Sequence, residues 1–82
     1  MNFYVYIIYA PSIDKYYIGQ TENLNKRIDE HCFRKNLGAS DWILKYSEPY
    51  ITRSEAIKRE TEIKKKKRRT YLEWLININP LK

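Results

Sequence analysis

An 82-residue chain makes one small domain, since a second would leave neither half a core, and 43% hydrophobic residues with eight tyrosines exclude a disordered chain. Sixteen Lys and Arg against ten Asp and Glu leave a charge of +6, which points to an anionic partner. One cysteine, Cys32, excludes an internal disulfide, Cys32 with the lone His31 makes no Cys/His zinc site, and no apolar run reaches the ~20 residues of a membrane span.

From Phe3 to Ala10 the chain is aromatic and β-branched, which predicts a strand. Phe3, Val5 and Ile7 alternate with Tyr4, Tyr6 and Ile8, and both sets are apolar, so the strand should be covered on both faces. Pro11 to Lys15 is a turn, and Tyr16 to Gln20 is the returning strand. A hairpin centred in that turn places Tyr17 and Gly19 on the face of Tyr6 and Ile8; a slip of one residue would reverse this. From Asn23 the period becomes helical, with Leu24, Ile28 and Cys32 four apart, Asn23 or Thr21 as cap, and Gly38 as the stop. Trp42 to Tyr46 predicts a third short strand closed by Pro49. Thr52-Arg53-Ser54-Glu55 has capping-box spacing and opens a second helix. Thr70-Tyr71-Leu72-Glu73 repeats it and opens a third, carrying Leu72, Trp74, Leu75 and Ile76. The expectation is an α+β domain over residues 1–82: a small three-stranded antiparallel β-sheet flanked by helices, in the order β-β-α-β-α-α.

Eight cations fall between Lys58 and Arg69, namely Lys58, Arg59, Lys64, Lys65, Lys66, Lys67, Arg68 and Arg69. Such a run suits a polyanion, because neutralised phosphates release counterions. The plainer reading is a solvated helix face that keeps a small protein soluble.

Polar residues also stand where core residues are expected. At about 100° per residue, Glu60 falls between Ala56, Ile57 and Ile63, whereas Glu62 points to the opposite side. A carboxylate in an apolar stripe costs desolvation unless a metal or a cation compensates it. Arg27 and His31 are i, i+4 neighbours flanking the Leu24–Ile28 stripe. A carboxylate, a guanidinium, an imidazole and two tyrosines thus converge on the sheet. Taken singly, each has an ordinary explanation: a Glu60–Arg27 ion pair, a packed histidine, tyrosines filling a small core.

Val5-Tyr6-Ile7, Tyr17-Ile18-Gly19, and Asn23-Leu24 followed by Arg27 and His31 together resemble the GIY-YIG nuclease family. Ser54 to Glu60 is similar to the segment that carries that family's metal-binding glutamate. The resemblance runs from residue 3 to about residue 67 and is greatest to small standalone members. Two departures stand out. Val5 replaces the first motif's glycine, and Gln20 follows Gly19 where repair-type relatives carry a lysine. Larger members append DNA-recognition domains, and nothing in this chain would serve as one, so weak sequence specificity is expected.

The resemblance implies that Glu60 holds one Mg²⁺ or Mn²⁺ and that Arg27 clamps the scissile phosphate. It implies that Tyr6 takes the proton from water, with Tyr17 as partner or alternative base, and that His31 hydrogen-bonds the tyrosine or the phosphate. A phenol near pKa 10 needs a cation to lower it, for which Arg27 and the metal are the candidates. Gly19 would let backbone approach the site. Lys58, Lys64, Lys65, Lys66, Lys67 and Arg68 would follow the DNA backbone, with Trp42 as a stacking contact. The function expected is a cytoplasmic, metal-dependent endonuclease acting on duplex or branched DNA, with repair or recombination as its setting and room for a targeting protein partner. The alternative is a nucleic-acid-binding module of the same fold with weak or absent catalysis.

Overall fold

The computed structural model describes residues 2–34, 38–66 and 68–78. The elements follow as β1 (Phe3–Ala10), β2 (Lys15–Thr21), α1 (Leu24–Arg34), β3 (Ile43–Tyr50), α2 (Arg53–Lys66) and α3 (Arg69–Ile78). The sheet has the order β2-β1-β3 with both pairings antiparallel. The architecture is therefore the α+β arrangement expected, in the expected element order.

Central placement of β1 explains its two apolar faces. Val5 and Ile7 are buried with Tyr46, Ala56, Ile63 and Leu75, beneath α2 and α3. Tyr6, Ile8 and Ala10 are buried on the other face with Ala39 and Trp42, against Leu24, Ile28 and Cys32 of α1. The register pairs Tyr6 with Gly19 and Ile8 with Tyr17, which puts Tyr6 and Tyr17 diagonally on one face. Asp14 sits at φ 51 in the turn, a conformation its short polar side chain tolerates.

Strand β3 and helix α3 differ from expectation. Strand β3 passes through Pro49 to Tyr50 instead of closing there, because an edge strand can spare the donor that proline lacks. A bulge opposite Ile7 and Ile8 gives β3 the additional residue Lys45. Helix α3 begins at Arg69, and the Arg68 carbonyl accepts from the Tyr71 and Leu72 amides, so Thr70 lies inside the helix rather than capping it. The other caps form as read. Asn23 Oδ1 accepts from the Lys26 amide at 3.1 Å, and Thr52 Oγ1 accepts from the Glu55 amide at 3.3 Å.

Two arginines of the basic run hold the fold together. Arg59 donates to Glu48 through Nε at 2.9 Å and Nη2 at 3.1 Å, while Tyr46 and Tyr50 donate to the same carboxylate. Burial alone would raise the Glu48 carboxyl, but Arg59 and the two hydroxyls outweigh it and hold it below its usual range. Arg69 forks onto Asp14 at 2.6 and 3.0 Å and reaches Glu73 at 3.3 Å, joining α3 to the hairpin turn. Both guanidinium groups are thereby engaged within the fold.

Arg59→Ala leaves a half-buried carboxylate without its countercharge. Unfolding in urea should show a loss of about 1–3 kcal/mol, below the figure for a fully buried pair because both side chains keep some solvent contact. Glu48 is depressed in the fold, so the loss should be full above its ordinary value of 4.5 and shrink as pH falls through the folded value. A loss that is constant with pH would mean that Arg59 acts by packing alone.

Candidate active site

Tyr6 is 1% exposed, and a buried hydroxyl must find partners. His31, also 1% exposed, places Nε2 3.1 Å from the Tyr6 hydroxyl. Arg27, one turn earlier on α1, stands near enough to the same phenol to oppose the rise that burial causes there, and its carboxylate neighbour is Glu30 at 3.7 Å. The i, i+4 spacing read from sequence thus brings guanidinium and imidazole onto one hydroxyl. The direction of the Tyr6–His31 bond follows the imidazole tautomer: the phenol donates to Nε2 when His31 carries its proton on Nδ1. Of the two roles expected for His31, tyrosine and phosphate, this geometry supplies the first.

The Tyr6 phenol is not lowered. Burial pushes it above 10, Arg27 opposes this without overcoming it, and the charges of Tyr17 and Glu60 add to the rise. Tyr17 leans on the imidazole, with ring centroids 5.2 Å apart, and lies 6.3 Å from the Tyr6 ring.

Gly19 has a more specific reason than backbone access. A Cβ at this position would stand 2.5 Å from the Tyr6 hydroxyl oxygen and 2.7 Å from Cζ. The absent side chain is the space that the phenol fills.

On α2, Ala56 and Ile63 are buried and Glu60 lies between them with its side chain 20% exposed, against 54% for Glu62. Ile57 leaves the expected stripe, being 46% exposed. Glu60 is compensated by Lys64, whose Nζ lies 2.6 Å from Oε2. Lys64, read as a backbone contact for DNA, is thus paired to the candidate metal ligand. Among the described residues no group of three or more His, Cys, Asp or Glu could enclose an ion. A lone carboxylate oxygen donor still fits Mg²⁺ or Mn²⁺, since Mg²⁺ retains several waters and uses one or two carboxylates.

Lys58, Lys65, Lys66 and Arg68 are exposed, and no carboxylate pairs with them among the described residues. Lys67 lies outside the described residues. Trp42 does not stack on a ligand: it is 6% exposed and packs edge-on to Tyr17 in the α1 layer. Two cations beside the site escape the sequence reading. Lys26 and Arg53 line a cleft with Gln20, Asn23 and Arg27, where Arg53 donates to Gln20 at 3.3 Å. Adjacency to Arg27 signals Lys26, whereas Arg53 is hidden inside a motif read only as a cap.

Tyr6, with His31 and Arg27 at its phenol, stands on the α1 face of the sheet, and Glu60 on α2 is near enough for its charge to act on that phenol. Residues 2–73 match the GIY-YIG catalytic domain, and the chain belongs to the GIY-YIG family. Its fold is similar to the solution NMR structure of the UPF0213 protein BH0048 from Bacillus halodurans, with a TM-score of 0.62 and 27% identity over 98% of this chain and 87% of that one. Comparison with curated proteins gives no match.

Gly19→Ala should push Tyr6 out of line with His31. The ring is enclosed, so the clash cannot be relieved by rotation into solvent. We expect about 1–3 kcal/mol of destabilisation by thermal or urea unfolding. An unchanged stability would mean that the phenol can move freely.

Proposed function

We propose that this chain is a divalent-metal-dependent endonuclease that hydrolyses DNA phosphodiester bonds with little sequence preference, in a repair or recombination setting. The observation that carries this reading is the Tyr6 hydroxyl 3.1 Å from His31 Nε2, with Arg27 acting on the same phenol, in a chain matching a catalytic domain along residues 2–73. Glu60 would hold the ion, which neutralises charge on the phosphoryl oxygens when bound. Remaining donors of Arg27 would grip the scissile phosphate, for which a rigid fork is well shaped.

The raised phenol argues against Tyr6 acting as a pre-ionised base. A relay answers this difficulty. Tyr6 takes the proton from the attacking water as its own proton passes to His31 Nε2, so the group that finally holds the proton is an imidazole. Imidazole is the side chain most often used to accept a proton in such a step. Tyr17 holds the imidazole in place by ring contact in this scheme. Lys58, Lys65, Lys66 and Arg68 supply sequence-independent attraction.

The binding-module alternative draws on two observations: Lys64 already occupies Glu60, and the phenol is raised. Labelled linear and branched DNA, incubated with Mn²⁺ or with EDTA, decides between the readings. Glu60→Gln should abolish metal-dependent cleavage while DNA binding persists, and Glu62→Gln should be close to neutral. Tyr6→Phe should slow cleavage by about 10²-fold or more. Wild-type cleavage should level off with pH in the neutral range if the relay operates, and climb past pH 9 if Tyr6 ionises alone. Absence of cleavage by wild type with any divalent metal would leave the binding module.

A further inference from the structure

Trp74 is 54% exposed on α3, an unusual place for the largest apolar side chain. It lies against Tyr71, with ring centroids 5.9 Å apart and planes 29° from parallel. Tyr71 is half-buried and packs on the core beneath α2 and α3, so its ring is a fixed support. Lys66 Nζ stands 5.6 Å from the Tyr71 ring centre. Lys65, Lys66, Arg68, Thr70, Tyr71 and Trp74 line one open groove of about 560 Å³. None of its three cations is paired with a carboxylate among the described residues, and Glu73, the acid of the same helix turn, is held by Arg69.

We propose that Tyr71 and Trp74, with Lys65, Lys66 and Arg68, form a stacking site for unpaired nucleobases, which gives the chain a preference for single-stranded segments over blunt duplex. The inference rests on the nucleic-acid reading above and names the substrate form within it. An exposed aromatic face rewards a base whose own face is free, and duplex pairing hides those faces. The neighbouring cations receive the phosphates on either side of the stacked base. An acidic protein would use the cations and leave the indole idle, so the two occupants differ in what the indole reports.

The full chain is tested in EDTA, which prevents cleavage during binding. The probes are a short oligo(dT) strand, a blunt duplex of equal length, and heparin as a polyanion without bases. Oligo(dT) should quench the tryptophan emission, because Trp74 is exposed and Trp42 is enclosed. Heparin and blunt duplex should bind with little quenching. Trp74→Ala should weaken oligo(dT) binding by about 5- to 100-fold, the range for one stacked base, and leave duplex affinity unchanged. Trp74→Phe should restore most of the loss. Unchanged oligo(dT) affinity in Trp74→Ala overturns the stacking site alone. Equal quenching by heparin overturns it in favour of a charge-only surface. A wild type that binds no DNA overturns the nucleic-acid reading and this inference with it.

Discussion

One buried hydroxyl organises the candidate site. Because β1 is the middle strand and both of its faces are covered, Tyr6 carries an oxygen into an apolar layer. Leaving that oxygen unpaired would cost about 1–3 kcal/mol. Helix α1 answers by presenting Arg27 and His31 on successive turns of the face that also carries Leu24 and Ile28. The apolar residues of α1 therefore set the height and rotation at which two polar side chains meet the phenol. Gly19 completes the arrangement from the neighbouring strand by yielding its side-chain volume. Stability and the proposed chemistry share these contacts, since what satisfies Tyr6 also surrounds its hydroxyl.

Charge along the basic run divides between side chains that join elements and side chains that stay in solvent. Arg59 and Arg69 use planar forks to hold Glu48 and Asp14, and so join helices to the sheet. Lys58, Lys65 and Lys66 have flexible stems and strongly hydrated heads, and they stay in solvent. Lys64 stands between these roles, exposed along half its side chain yet paired with Glu60. A formal charge of +6 thus overstates the field available to a polyanion in some places and concentrates it in others, chiefly where α2 gives way to α3.

Much of this was legible in the residues alone. The double-sided alternation of β1 announced a covered central strand, and the short turn at Pro11 to Lys15 set a register that places Tyr6 and Tyr17 together. Helical spacing separated Glu60 from Glu62 for the same reason, as a period of 3.6 carries residues two apart to different sides. What failed was decided by tertiary surroundings. Whether Pro49 ends a strand depends on whether that strand lies at an edge, which no local window records. Trp42 is enclosed instead of free to stack because the stretch before β3 brings it, with Ala39, into α1's layer. Nor could the sign of the Tyr6 shift be foreseen, since it is a contest between depth of burial and one guanidinium.

Leu75 shares a single buried cluster with Val5 and Ile7, so the first strand and the last helix complete one layer together. During synthesis the α2-facing side of β1 therefore stays incompletely covered until α2 and α3 have both been made. The α1 side, with Leu24, Ile28 and Trp42, can close much sooner. Nascent chains accordingly pass through a stage in which a hydrophobic strand is sheltered on one flank only. The hazard of that interval is association with other emerging chains, and its length is set by translation speed rather than by the stability of the finished fold.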